Sequence, residues 1–457
     1  MSQNQAKVLK QDEIIFRDAS VRSAVFTMAI PTIIGQLIVL FYNLADTFFI
    51  GRTGDPQMVA GVSLILPIFN VSNALAAVTG LGGGTLISRL LGANKREEAS
   101  YISSFTFLCI ILMGLVWSLL VFFFMHDLLI FLGASPSTYI YAKQYAMCVV
   151  VIGTVPTVLQ LTCAHLIRAI GYSKKASFGI SLGGILNVIF DPLFMFVLLP
   201  KGNEIIGAGI ATLLSNIIAL GYFLITIYKL RDTSVLNFSF LKGLKLAKNK
   251  KELFTNGIPG GISNLLFDLS QLMINKLMSY HGDIPLASIG IILKAERIPL
   301  STGIGICQGI VPIVAYNYAA GNKKRMIDVI NFSRLFGLIV AAVSILIYVS
   351  FSFEIMSIFI DHQETVQIGS DFLRARTLAT PFMFMAFHIA FILLAINHGK
   401  VTFKLSVIRQ IFLYIPILYV MDYCFGMYGL VWAQLISDII TDVISFIWLH
   451  KIFRKIN

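Results

Sequence analysis

Apolar runs of roughly 20 residues recur from one end of the chain to the other, and no other feature constrains its fold as strongly. A run of that length spans the hydrocarbon core of a bilayer as a helix. Twelve such runs are predicted, near 22–49, 57–83, 101–125, 138–169, 176–199, 207–229, 252–279, 286–312, 330–353, 366–396, 401–421 and 427–450. Hydrophobic residues make up 57% of the 457-residue chain and charged residues 13%, against about 25% charged in a soluble domain. The expected class is an all-α polytopic membrane protein. The opening stretch MSQNQAKVLKQDEIIFRDAS is polar and has no apolar core, so it reads as a retained terminal segment rather than a signal peptide. Cys109, Cys148, Cys163, Cys307 and Cys424 fall in or beside apolar runs without disulfide spacing and read as packing residues.

The loops carry the orientation. Alternate loops are basic: Lys95 and Arg96, Lys174 and Lys175, the run from Lys229 to Lys251, Lys323 to Arg325, and Lys400 with Lys404. The intervening loops hold only Arg52 and Lys201. By the positive-inside rule both ends are expected in the cytoplasm, with the chain multi-pass in the cell membrane. The net charge of +12 then implies attraction to anionic lipid head groups rather than to nucleic acid.

The chain also repeats. Ala29-Ile30-Pro31 returns as Gly257-Ile258-Pro259, Gly54-Asp55 as Gly282-Asp283, and Asn94-Lys95 as Asn322-Lys323, all at an offset of 228 residues. The expected organisation is a terminal segment (1–21), a first six-helix lobe (22–230), a basic linker (231–251) and a second six-helix lobe (252–457). Transporters are often built from such repeats, with alternating access between the halves.

A charge inside a bilayer is costly and marks function by default. Asp46 stands in NLADTFFIG and Asp191 in LNVIFDPLFMF. Asn187 precedes Asp191 by one helical turn and shares its face, and Thr212 adds a hydroxyl. Burial disfavours a charged carboxylate and a second carboxylate disfavours it further, so these groups suit either a proton or Na⁺. Ile274 stands where the repeat would place a second Asp46, so the constellation belongs to one half. In the second half Asp268 lies well inside a span, and His388 is an intramembrane group able to titrate. Lys294, Glu296 and Arg297 fall at the expected start of span 8. Asp438 and Asp442 share a face that Arg409 would neutralise. Pro31 and Pro259 occupy matched places where helices can bend, and GLGGG at 80–84 suits close packing or a hinge.

The stretches DTFFIGRTG (46–54), GGGTLISRLLGANKREEA (82–99), IRAIGYSKKA (167–176), LNVIFDPLF (186–194), GAGIATLLSN (207–216) and GICQGIVPIVAYN (305–317) together resemble the multidrug and toxic compound extrusion (MATE) family, and within it the MepA-type bacterial branch. The resemblance implies a V-shaped pair of six-helix lobes. It implies export of hydrophobic, cationic small molecules in exchange for H⁺ or Na⁺, without a cofactor, by a protein functional as a monomer. It places the coupling ion at Asp46, Asn187, Asp191 and Thr212; for a further ligand that some members carry on helix 4, either Gln160 or His165 stands in, or the ligand is absent. Asp268 lies near the acidic position that another branch uses on helix 7.

Two rival readings follow from the residues. Arg297, Arg374 and Arg409 would suit the phosphate of a lipid or lipid-linked sugar, as in a flippase. GISLG at 179–183 matches GxSxG, which with His165 or His388 would make Ser181 a hydrolase nucleophile, but Gly179 and Gly183 equally form a packing GxxxG. The reading taken is a transporter and not an enzyme.

Overall fold

The computed structural model describes residues 14–456, so most of the terminal segment, residues 1–13, lies outside the described residues. All regular structure among the described residues is helical. The spans of the first lobe are α1 (Val21–Gly51), α2 (Pro56–Gly92), α3 (Arg96–Phe123), α4 (Pro136–Ile152 with Thr154–Ala169), α5 (Ser173–Leu198) and α6 (Glu204–Leu230). Those of the second are α7 (Lys250–Ser279), α8 (Asp283–Ala319), α9 (Lys323–Ser350), α10 (Gln363–Thr377 with Thr380–Ala395), α11 (residues 399–425) and α12 (residues 427–456). Gly426, at φ 59 and ψ −146, parts the last two. A short linker helix, Phe240–Leu246, lies between the lobes.

Local chemistry sets the helix ends. Asp55 accepts the Gln57 N–H at 2.8 Å and Pro56 opens α2, the usual capping arrangement. Gly54 and Gly282, the matched landmarks, have φ of +73° and +112°, which a side chain resists. The repeat therefore preserves a turn as well as a span.

Proline accounts for the broken spans. A proline nitrogen cannot bond the carbonyl four residues earlier. The first halves of α4 and α10 end at Ile152 and Thr377, each four residues before a proline (Pro156 and Pro381), and the chain bends by 49° and 45° there. Pro299 breaks α8 after Ala295, whose carbonyl instead accepts the Tyr348 hydroxyl at 2.6 Å. Lys294, Glu296 and Arg297 thus sit in the middle of span 8, not at its start. The largely apolar residues 284–293 before them belong to the same span, and α8 is longer than its apolar run suggested. Pro31 and Pro259 lie in uninterrupted helices in this state.

The buried apolar residues show how the lobes meet. One cluster draws on both lobes, joining Met28, Leu86 and Leu91 to Leu253, Ile306 and Tyr316. Two others each belong to one lobe: Ile50, Met58, Leu129 and Ile205 in the first, and Ile274, Met278, Phe372 and Leu430 in the second. The shared cluster lies toward the ends of the spans that carry the basic loops, and the separate ones lie toward the other ends. The lobes are therefore joined at the basic face and part toward the opposite face, which gives the V.

Contacts at the joined face are between backbones. A Cβ on Gly257 would lie 1.9 Å from the Val78 carbonyl oxygen, and one on Gly82 2.2 Å from that of Leu253. GLGGG is thus packed within an unbroken α2, not used as a hinge. Arg89 meets Glu252 across the lobes at 2.8 Å. The Phe16 carbonyl accepts from Asn317 at 2.9 Å and from Arg325 at 2.7 Å, and its ring is buried against Tyr316.

Candidate functional site

In the first lobe α5 and α6 bring three of the expected residues together. Asn187 donates to Asp191 Oδ1 at 3.2 Å and to Thr212 Oγ1 at 3.3 Å. Asp191 does not end a helix: α5 continues past Pro192 as a turn of π-helix over Leu193–Leu198, a distortion frequent at functional sites. Asp46 enters from α1, within electrostatic reach of Asp191.

The cluster has more acceptors than donors. Asp46 Oδ1, Asn187 Oδ1 and Asp191 Oδ2 are buried, and none has a hydrogen-bond partner. An unmet buried acceptor costs about 1–3 kcal/mol, more if charged. Three together leave the cluster short of donors. All the candidate ligands are oxygens, the donor type that hard cations take.

Gln160 lies beside this group. Its amide donates to Asn216 at 2.6 Å, and Asn216 donates to Thr157 at 2.7 Å. Asn216 is one turn along α6 from Thr212, so the two polar strings share a helix face. Tyr42 and Tyr145 are not among the residues that the sequence singles out, yet both stand within electrostatic reach of Asp46 and Asp191. Tyr42, one turn before Asp46, is legible from spacing; Tyr145, on α4, is not.

The second lobe uses its charges differently. Glu296 and Arg376 form a buried pair at 2.8 Å, as do Asp438 and Arg409. Asp438 also accepts from Gln434 at 2.7 Å. Arg409 therefore answers Asp438, while Asp442 keeps an unpartnered buried oxygen. Asp268 is half-buried, accepting from Asn70 of the first lobe at 3.0 Å with Arg297 at 3.8 Å. His388 is buried against Ser333, 2.9 Å from its hydroxyl.

These placements bear on the rivals. Arg409 is buried in its pair with Asp438 at 2.8 Å, while Arg297 and Arg374 lie 3.8 Å from Asp268 and 3.7 Å from Asp371 and remain partly exposed. Among the described residues neither hydrolase dyad is joined by a hydrogen bond: His388 is paired with Ser333 and His165 lies 3.4 Å from Arg168.

Two matched six-helix lobes, joined at one face and parted at the other, with a polar site buried in one of them, define a membrane transporter and not an enzyme. The MatE family model matches residues 31–193 and again 259–420, one match in each lobe. The chain belongs to the MATE family. It is 27% identical to the multidrug export protein MepA of Staphylococcus saprophyticus subsp. saprophyticus, over 93% of this chain and 92% of that one. It is 28% identical to the MepA of Staphylococcus aureus strain MSSA476, over 94% of each chain. The fold matches an outward-facing MATE transporter of the MOP superfamily with a TM-score of 0.90 at 18% identity, covering 100% of this chain and 99% of that one. It matches the Vibrio cholerae transporter VcmN in its bent form with a TM-score of 0.86 at 20% identity, over 100% of this chain and 99% of that one.

Proposed function

We propose that this protein exports hydrophobic, cationic small molecules across the cell membrane in exchange for H⁺ or Na⁺, and that Asp46 and Asp191, with Asn187 and Thr212, take up the ion. The observation that carries this reading is the set of three buried acceptor oxygens without partners at Asp46, Asn187 and Asp191. A proton on either carboxylate supplies a donor for one of the others. A Na⁺ would accept all three, with the Gln160–Asn216 string as its neighbour.

The basic face is assigned to the cytoplasm by the positive-inside rule, with the protein working as a monomer. The lobes are then closed inward and the cleft opens outward. Ion entry at the first-lobe site weakens drug binding in the cleft, with α1 bending at Pro31, and the matched Pro259 serving α7. The loaded lobes rock to face inward, where the ion leaves and drug binds. Coupling of this kind is reciprocal: drug weakens ion binding by the same factor. In the second lobe Asp268 has access to the cleft and is the carboxylate to test for a coupling or substrate role. His388 would have to release Ser333 to take part.

The test is efflux of a fluorescent cationic dye from vesicles containing the purified protein, with a pH gradient or a Na⁺ gradient imposed separately. Transport driven by pH alone assigns a proton to the pair. A requirement for Na⁺ assigns a metal-ion site. Asp191→Asn that still couples dye movement to either gradient refutes the site.

A further inference from the structure

The linker between the lobes is not a slack tether. Ser103 Oγ donates to the Val235 carbonyl at 3.0 Å and accepts the Asn237 N–H at 3.2 Å. Ser104 Oγ donates to the Asn237 carbonyl at 3.0 Å. The Phe238 ring packs on the Phe107 ring at 4.5 Å between centroids. The linker helix itself is pressed onto α3, since a Cβ on Gly243 would lie 2.7 Å from the Phe105 nitrogen. Lys250 closes the segment, bonding to the Leu244 carbonyl and lying 5.4 Å above the Phe105 ring.

This seat fixes the depth of the helix. Ser104 lies eight residues beyond Arg96, where α3 begins, or about 12 Å along its axis. The 28 residues of α3 extend about 42 Å, against a hydrocarbon core of about 30 Å. The first turns of α3 therefore stand among head groups, and the linker helix lies near the boundary with the acyl chains. At seven residues it is too short to cross.

The helix has one buried face, and its exposed side carries leucines on both flanks of the lysines, Leu246 being 49% exposed. Gly243, with Ala247 beyond its end, turns to the protein. Leu241 and Leu244, three residues apart and so on one stripe, are 75% and 50% exposed. Lys242 and Lys245 form the adjacent stripe, and Lys248 and Lys251 follow; all four are exposed. Residues 233–251 contain no acidic residue. Among the described residues none of these four lysines has a carboxylate within ion-pair distance.

We propose that the linker helix is an interfacial element that binds anionic phospholipid in the leaflet at the basic face. Leu241 and Leu244 enter the acyl boundary, and Lys242, Lys245, Lys248 and Lys251 meet the phosphates. An apolar stripe beside a basic one is the arrangement that lies in an interface plane. Each lysine near an anionic surface strengthens such an association roughly five-fold. The helix rides on the first lobe and leads directly into α7 of the second, so the lipid would hold the segment across which the lobes move.

The test uses the full chain in vesicles, with the native cysteines replaced and an environment-sensitive fluorophore at Ser239→Cys. Brominated phosphatidylglycerol is expected to quench the probe more strongly than brominated phosphatidylcholine. The preference should fall at least ten-fold in the Lys242→Gln/Lys245→Gln/Lys248→Gln variant, whose changes are all on the surface. Leu241→Ser/Leu244→Ser should reduce quenching by both lipids. Equal quenching by the two lipids in the unaltered chain would overturn the charge argument. Quenching by aqueous iodide but by neither lipid would mean that the helix faces water or a soluble partner, and would overturn the proposal.

Discussion

The joined face of the lobes rests on contacts that only glycine permits, and Gly257→Ala tests this directly. The added Cβ would sit 1.9 Å from the Val78 carbonyl oxygen and 2.8 Å from its carbon. A carbon normally approaches such an oxygen to about 3.3–3.6 Å, so α2 and α7 must separate by roughly 1.5 Å. The clashing atoms are backbone, and no rotamer relieves them. Overpacking of this kind costs about 1–3 kcal/mol, and that cost falls only on the conformation that brings the two helices together. The ratio of closed to open lobes at the basic face should therefore fall roughly 5- to 150-fold. Spin labels at Lys95 and Lys323, the matched loops of the two lobes, would report this as a shift toward longer distances. Gly260→Ala is the control. Its Cβ meets only side-chain methyl carbons, Leu81 Cδ1 at 3.0 Å and Leu394 Cδ1 at 3.8 Å, and the shift should be small. A distance distribution unchanged by Gly257→Ala would refute the view that this contact sets the lobe equilibrium.

Other consequences follow from the same geometry. Phe16→Ala removes a ring buried at the junction of the lobes, at a cost of about 3 kcal/mol, and should move the same label pair in the same direction as Gly257→Ala. Arg409→Met leaves the fully buried Asp438 with Gln434 as its remaining partner and should cost about 3–5 kcal/mol, whereas Arg409→Met/Asp438→Leu should recover most of it; thermal unfolding in detergent distinguishes the two. Tyr42→Phe should alter the ion dependence of transport at little cost in unfolding temperature, because the ring stays packed near Gly184 and only the hydroxyl beside the carboxylates is lost. Asn187→Ala frees both Asp191 and Thr212 and should reduce gradient-driven dye efflux ten-fold or more while leaving the protein folded, as judged by the same melting assay.

The sequence by itself determined the helical membrane class and the repeat, and it named the residues of the proposed ion site. It could do so because a bilayer admits backbone only as helix or closed barrel and makes every buried carboxylate conspicuous. Asp46 and Asp191 were legible for that reason, and Gly54 and Gly282 only as landmarks of the repeat. What adjoins them across the fold was not. Tyr145 stands near the carboxylates only because α4 packs against the site. Arg409 answers Asp438 and not Asp442 because of how α11 meets α12. Span 8 carries Glu296 in its middle because Arg376, from α10, is there to pair with it. Whether the glycines of α2 serve as hinge or as contact was equally open in the sequence. Spacing along one helix sets which side chains share a face, but which face meets which, and at what distance, depends on helices hundreds of residues apart in the chain.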